Sequence, residues 1–229
     1  MTIKFQVVRA WFVHFYTASG LIAAFAAFRS ILAGDARGVF LWLGAALVVD
    51  ATDGPMARRW KVAEWLPMFS GRKLDDIVDY INYTFIPVLF AYHFQLVTGP
   101  AVFVLPLVLL ASVYGFCQQE AKTEDGYFTG FPNYWNLVVF YLYLLGAPSG
   151  LSAAVMGLFA LLVFIPIKYL TWKTTELQQL TLALSMIWGI SLAGLLIWFQ
   201  TLPQWAVGLT LLYPAYHLGA SLTLALRSG

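Results

Sequence analysis

Charge is scarce in this chain of 229 residues: Asp, Glu, Lys and Arg make up only 10% of it, against 61% apolar residues. A soluble domain of this size carries about 25% charged and about 45–50% apolar residues. The deficit therefore excludes an ordinary water-facing surface around one core. Cysteine is almost missing as well. The single thiol, Cys117, excludes an internal disulfide framework and a cysteine metal cluster. No basic tract is present, and a formal charge of +2 offers no nucleic-acid surface. Linkers, low-complexity tracts and long internal repeats are absent too. What these absences leave is an all-α, polytopic membrane protein.

Apolar stretches long enough to span a bilayer fall at about residues 11–33, 37–57, 74–96, 99–120, 134–149, 151–171, 179–200 and 204–226. Lys4 and Arg9 ahead of the first stretch mimic a signal peptide. That run is longer than a signal core and is followed by further spans, so it reads as a retained helix. The residues TIKFQVVRAW at the start mix basic and apolar positions, which suits a short amphipathic helix lying in the interface. With eight spans, eleven of the thirteen basic residues share one side with both termini, and only Arg29 and Arg37 fall on the other. By the positive-inside rule the termini are cytoplasmic.

Against this background the segment DATDGPMARRWKVAEWLPMFSGRKLDDIVD, residues 50–79, is anomalous, because five of the chain's aspartates lie in it. Asp50 and Asp53 are three apart near the cytoplasmic end of the second span. Asp75 and Asp79 are four apart at the start of the third. Those spacings put each pair on one helix face. Antiparallel neighbours joined by the basic loop from Arg58 to Lys73 would bring the pairs to one depth. Four converging carboxylates in low dielectric need compensation, and one or two divalent cations on oxygen ligands provide it. Gly54, Ala57 and Gly71 are small and permit close approach of a ligand to the backbone. Arg58 and Arg59, at the water boundary, suit phosphate oxygens. Together these point to a phosphorylated ligand entering from the cytoplasm. Asp76 sits off the face shared by Asp75 and Asp79, so it reads as a capping or arginine-pairing residue. Arg59 and Cys117 read as structural, and so do His93 and His217.

The pattern Asp50-x-x-Asp53-Gly54-x-x-Ala57-Arg58, then Gly71-x-x-x-Asp75-x-x-x-Asp79, resembles the signature of the CDP-alcohol phosphotransferases. The twelve residues between Arg58 and Gly71 depart from the shorter interval usual in that family and resemble its bacterial phosphatidylcholine synthase subgroup. HFYTASG at 14–20, LDDIVDYINYTFIP at 74–87, FCQQEAKTED at 116–125 and FPNYWN at 131–136 carry the same likeness. It thins after about residue 170, giving one catalytic membrane domain over 1–229 with a family-like core, 1–171, and additional C-terminal helices, 172–229.

The resemblance implies transfer of a phosphatidyl group from CDP-diacylglycerol to choline, with release of CMP, at the cytoplasmic face of a bacterial inner membrane. It further implies that Asp50, Asp53, Asp75 and Asp79 hold two divalent ions, Mn2+ or Mg2+, and that Asp79 is also the general base. Gly54, Ala57, Arg58, Gly71 and Asp75 would contact the CDP portion, with Thr17 lining the same nucleotide site; His14, in the HFYTASG segment, reads rather as a packing residue. A homodimer is implied as well. A quaternary ammonium is best held by aromatic faces and a carboxylate. The candidates near the cytoplasmic side are Tyr80, Tyr83, Tyr127, Tyr134, Trp135 and Glu120. Other acceptors remain open: inositol phosphate, glycerol phosphate or serine. The third span beyond Asp79 lacks the basic residues an anionic acceptor would want. A divalent-cation transporter is the reading from another class. It is disfavoured because the second and third spans turn wholly apolar in FLWLGAAL and FIPVLFAY.

Overall fold

A computed structural model of the chain describes residues 3–118, 128–166, 168–169 and 178–228. Among them the regular elements are helices apart from one two-residue antiparallel bridge, in which Phe128 pairs with Tyr169 and Thr129 with Lys168. The chain divides into two compact units, Met1–Phe94 and Gln95–Gly229.

The first unit opens with α1 (Ile3–Ala18) and α2 (Gly20–Leu32). Between them the hydrogen-bond ladder runs on through Ser19, whose N–H donates to Phe15 O at 2.9 Å. The two form one apolar run, Lys4–Leu32. The expected interfacial helix at the N-terminus is therefore no separate element, because nothing in KFQVVRAW breaks the ladder. α2 buries Gly20, Ala23, Ala24, Ala27 and Ile31 and exposes Ile22 and Phe25. This is one small-residue face for a neighbouring helix and one greasy face for lipid.

That neighbour is α3 (Ala36–Arg59). Asp35 caps it by accepting from Gly38 N at 2.8 Å. Its buried stripe, Val39, Leu43 and Ala46, continues at helical spacing into Asp50 and Asp53, so the helix face that packs against α2 also carries the acids inward. Short α4 (Val62–Trp65) follows. Then α5 (Gly71–Asp79) starts at Ser70, whose hydroxyl accepts from Lys73 N at 3.3 Å.

From Gly71 to His93 the backbone stays helical, but Tyr80–Phe85 widens into a π-helical segment before α6 (Ile86–His93). Pro87 explains the widening. Its ring has no N–H to give Tyr83 O and would clash with that carbonyl in a regular α-turn. The third expected span, 74–96, is thus a composite run. Asn82, buried in the π segment, donates to Gly20 O at 3.1 Å and to Val78 O at 3.0 Å. Phe40 and Phe90 rings pack at 4.7 Å.

In the second unit a 3-10 turn, Gly99–Phe103, leads into α7 (Val104–Cys117), which packs on α9 (Ser149–Leu162). α8 (Trp135–Leu144) begins at a wholly buried indole. Trp135 Nε1 donates to Ser112 Oγ at 2.7 Å, and Phe131 lies across its edge. α10 (Gln178–Ile197), α11 (Gln204–Thr210) and α12 (Leu212–Ser228) complete the unit. Tyr141 OH meets Thr210 Oγ1 at 2.9 Å and accepts from Trp188 Nε1 at 3.0 Å.

Among the described residues, four helices are long and apolar enough to cross a bilayer: Lys4–Leu32, Ala36–Arg59, Gly99–Cys117 and Leu180–Ile197. Trp135–Leu144 and Ser149–Leu162 are apolar but shorter. The protein is a multi-pass, all-helical membrane protein.

Candidate metal centre

The sequence places two acidic pairs on two helices, and the fold brings them together. Ligand oxygens of Asp50, Asp75 and Asp79 all lie within 4.8 Å of one another, and each side chain is half-buried. Asp50 comes from the inner face of α3; Asp75 and Asp79 come from one face of α5. A narrow pocket joins these three to Thr17, Asp53, Asn82 and Tyr83, floored by Ala46, Val49 and Val78. All of its walls belong to the first unit.

Two hydroxyls fix the carboxylates. Tyr83 OH donates to Asp50 Oδ2 at 2.7 Å, and Thr17 Oγ1 donates to Asp53 Oδ2 at 2.6 Å. Asp53 is only 5% exposed. It shares the pocket but stands outside the close triplet, so three of the four expected carboxylates gather within 4.8 Å of one another and the fourth lies beside them on Thr17. Three half-buried carboxylates gathered this tightly form an acceptor-only oxygen set. That set suits a hard divalent cation. Asp50, Asp75 and Asp79 are the residues that would hold one.

The other expected contacts are distributed unevenly. Thr17 and Asp75 line the pocket. Gly54 and Arg58 are one turn along α3, with the Arg58 guanidinium over the glycine: a Cβ there would lie 3.3 Å from Nη1. Ala57 instead packs toward Ala10, Val13 and Val62. Gly71 abuts α1, where an added Cβ would come within 2.9 Å of His14 Cε1. His14 itself is buried under Phe69, with ring centroids 4.5 Å apart. The twelve-residue interval therefore folds as α4 and a loop that covers His14.

Among the aromatic candidates, Tyr80 follows Asp79 directly and Tyr83 is spent on Asp50. Tyr134 is exposed, and Trp135 is enclosed in the core of the second unit. Tyr127 and Glu120 lie outside the described residues. Sequence reasoning missed Asn82 as a pocket residue. Its spacing of three from Asp79 was the available signal.

An all-helical membrane protein with a carboxylate-lined pocket between its first helices is what fold and site define. No protein-family model matches the chain. It is 37% identical to the phosphatidylcholine synthase of Pseudomonas aeruginosa over 224 residues, covering 93% of this chain and 91% of that protein. It is 38% identical to the one from Borreliella burgdorferi over 80% of this chain and 79% of that protein. To the Legionella pneumophila enzyme it is 37% identical, with coverage of 93% and 87%. The chain belongs to the phosphatidylcholine synthase family.

Proposed function

We propose that this protein is a CDP-diacylglycerol–choline O-phosphatidyltransferase, making phosphatidylcholine and CMP. The observation that carries the reading is the convergence of Asp50, Asp75 and Asp79 in a chain of this family. Choline's hydroxyl oxygen forms a bond to the lipid-bearing phosphorus of CDP-diacylglycerol, and the bond from that phosphorus to the CMP phosphate oxygen breaks. Divalent cations, when bound, neutralise the pyrophosphate and the departing CMP. Two ions fit the family resemblance, with Asp53 completing the acidic set.

The chain's own residues do the rest. Asp79 accepts the proton from choline's hydroxyl as the new bond forms. Tyr83 and Thr17 hold Asp50 and Asp53 in fixed rotamers, so the pocket need not reorganise when a cation enters. Arg58, at the end of α3, offers a guanidinium to the diphosphate. Both termini and the acidic pocket face the cytoplasm in this reading, because the basic residues gather on that side. Eight crossings fit the same charge alternation.

The test is CMP release from CDP-diacylglycerol by purified protein with Mn2+ or Mg2+ and, separately, choline, serine, glycerol phosphate or inositol phosphate. Only choline should give rapid release. Asp79→Asn should reduce it by at least about 100-fold, within the range expected for loss of a general base, while leaving the circular dichroism unchanged. Rapid release with a different acceptor overturns the choline assignment.

A further inference from the structure

We infer that Asn82 contributes its side-chain Oδ1 as an uncharged ligand to the cation held by Asp50, Asp75 and Asp79. This rests on reading the acidic pocket as a divalent-cation site. Asn82 is only 2% exposed and lines that pocket. Asp75, Asp79 and Asn82 line it from one continuous helical run, Gly71–His93.

The two ends of its amide have different circumstances. Nδ2 donates to two carbonyls, Gly20 O and Val78 O. Because both partners are acceptors, nitrogen and oxygen cannot be exchanged in the assignment. Oδ1 is then left buried, with no hydrogen-bond partner. A buried carbonyl oxygen without a partner is unfavourable unless something supplies a donor or positive charge. The two hydroxyls that line the pocket are already committed, Tyr83 to Asp50 and Thr17 to Asp53.

A divalent cation meets that need. Amide carbonyl oxygens are ordinary ligands of hard cations. A neutral one completes the coordination shell without adding to the repulsion among three carboxylates. The amide nitrogen meanwhile anchors the side chain to Gly20 O and Val78 O, so the amide is held in place before any ion arrives.

The test is direct Mn2+ binding to purified protein, followed by electron paramagnetic resonance without substrates, together with the thermal midpoint of the metal-free protein. Asn82→Leu removes both amide functions; Asn82→Asp loses the donor but keeps an oxygen. Both should lower the metal-free midpoint. Mn2+ affinity should fall about 10-fold or more in Asn82→Leu and stay within about 3-fold of wild type, or tighten, in Asn82→Asp. Affinity in Asn82→Leu within 2-fold of wild type, or an equal loss in both variants, overturns the assignment and leaves a packing role. Should Asn82→Leu not fold, wild-type protein grown with [13C]asparagine decides, since of Asn82, Asn133 and Asn136 only Asn82 lines the pocket. A 13C hyperfine coupling to bound Mn2+ supports ligation, and its absence overturns it. Wild-type protein that takes up no Mn2+ overturns the cation reading itself.

Discussion

Tyr83 and Thr17 each hold one oxygen of a pocket carboxylate through a short, charge-assisted hydrogen bond, 2.7 and 2.6 Å long. Tyr83→Phe keeps the ring and removes only the donor to Asp50. If the hydroxyl orients a ligand, the Mn2+ concentration needed for half-maximal CMP release rises by about 10-fold, and the KM for choline stays put. A rise in choline KM with unchanged metal dependence would return Tyr83 to an aromatic cage. Thr17→Val leaves buried Asp53 short of a donor and should cost about 1.5–3 kcal/mol of stability, read as a lower unfolding midpoint in detergent; Thr17→Ser should recover most of it. At this scale the sequence was half legible. Helical spacing foretold that Asp50 joins Asp53, and Asp75 joins Asp79, on shared faces. It could not foretell the hydroxyl partners, which lie 33 and 36 residues away in the chain. Nor could it separate the enclosed Trp135 from the exposed Tyr134, since both open the same helix with the same chemistry.

Between elements, α2 lies close against the junction of α5 and the π segment. A Cβ at Gly20 would lie 2.6 Å from Val78 Cγ1 and 3.5 Å from Asn82 Nδ2. Gly20→Ala must therefore push α2 away from the wall that carries Asp79 and Asn82, at a cost of about 1–3 kcal/mol typical of overpacking. The obstacle is a side-chain methyl, so Val78→Ala makes room for the new one. Thermal midpoints of wild type, both single variants and the double should show the Gly20→Ala penalty shrinking in the Val78→Ala background. Equal penalties in both backgrounds would mean that the contact does not set the spacing. Pro87 was visible in FIP, yet a proline alone does not say whether a helix kinks, ends or widens. Here the helix widens instead, in the segment where Asn82 is tied to Val78 O one turn back and to Gly20 O on α2. The interval from Arg59 to Ser70 was legible as an insertion. Its fold, with Phe69 laid on His14, depends on α1 and is not written in the insertion itself.

For the molecule as a whole, hydropathy and helix length give different pictures of the same chain. Apolar windows predict eight crossings, whereas α8 has 10 residues and α9 has 14. At about 1.5 Å per residue these reach roughly 15 and 21 Å, short of a hydrocarbon core of about 30 Å. Pro148 and Gly146 between them end the helices early, something a window average cannot register. The charge pattern is independent of those lengths. On the orientation proposed above, Arg58–Lys73 lies on the cytoplasmic side and the uncharged connections near Thr98, Gly150 and Thr201 on the other. Cysteine accessibility tests this on a Cys117→Ala background. Glu64 and Thr98 are exposed, and a Cβ at Gly150 meets open space, so each position accepts the probe. In spheroplasts, a membrane-impermeant maleimide should label Thr98→Cys, Gly150→Cys and Thr201→Cys, and should reach Glu64→Cys only after permeabilisation. Labelling of Glu64→Cys and Thr98→Cys from the same side would mean that the composite run Gly71–His93 does not cross. Protection of Gly150→Cys alone would make α8 and α9 a re-entrant pair and reduce the crossings to six, with the acidic pocket still on the cytoplasmic side.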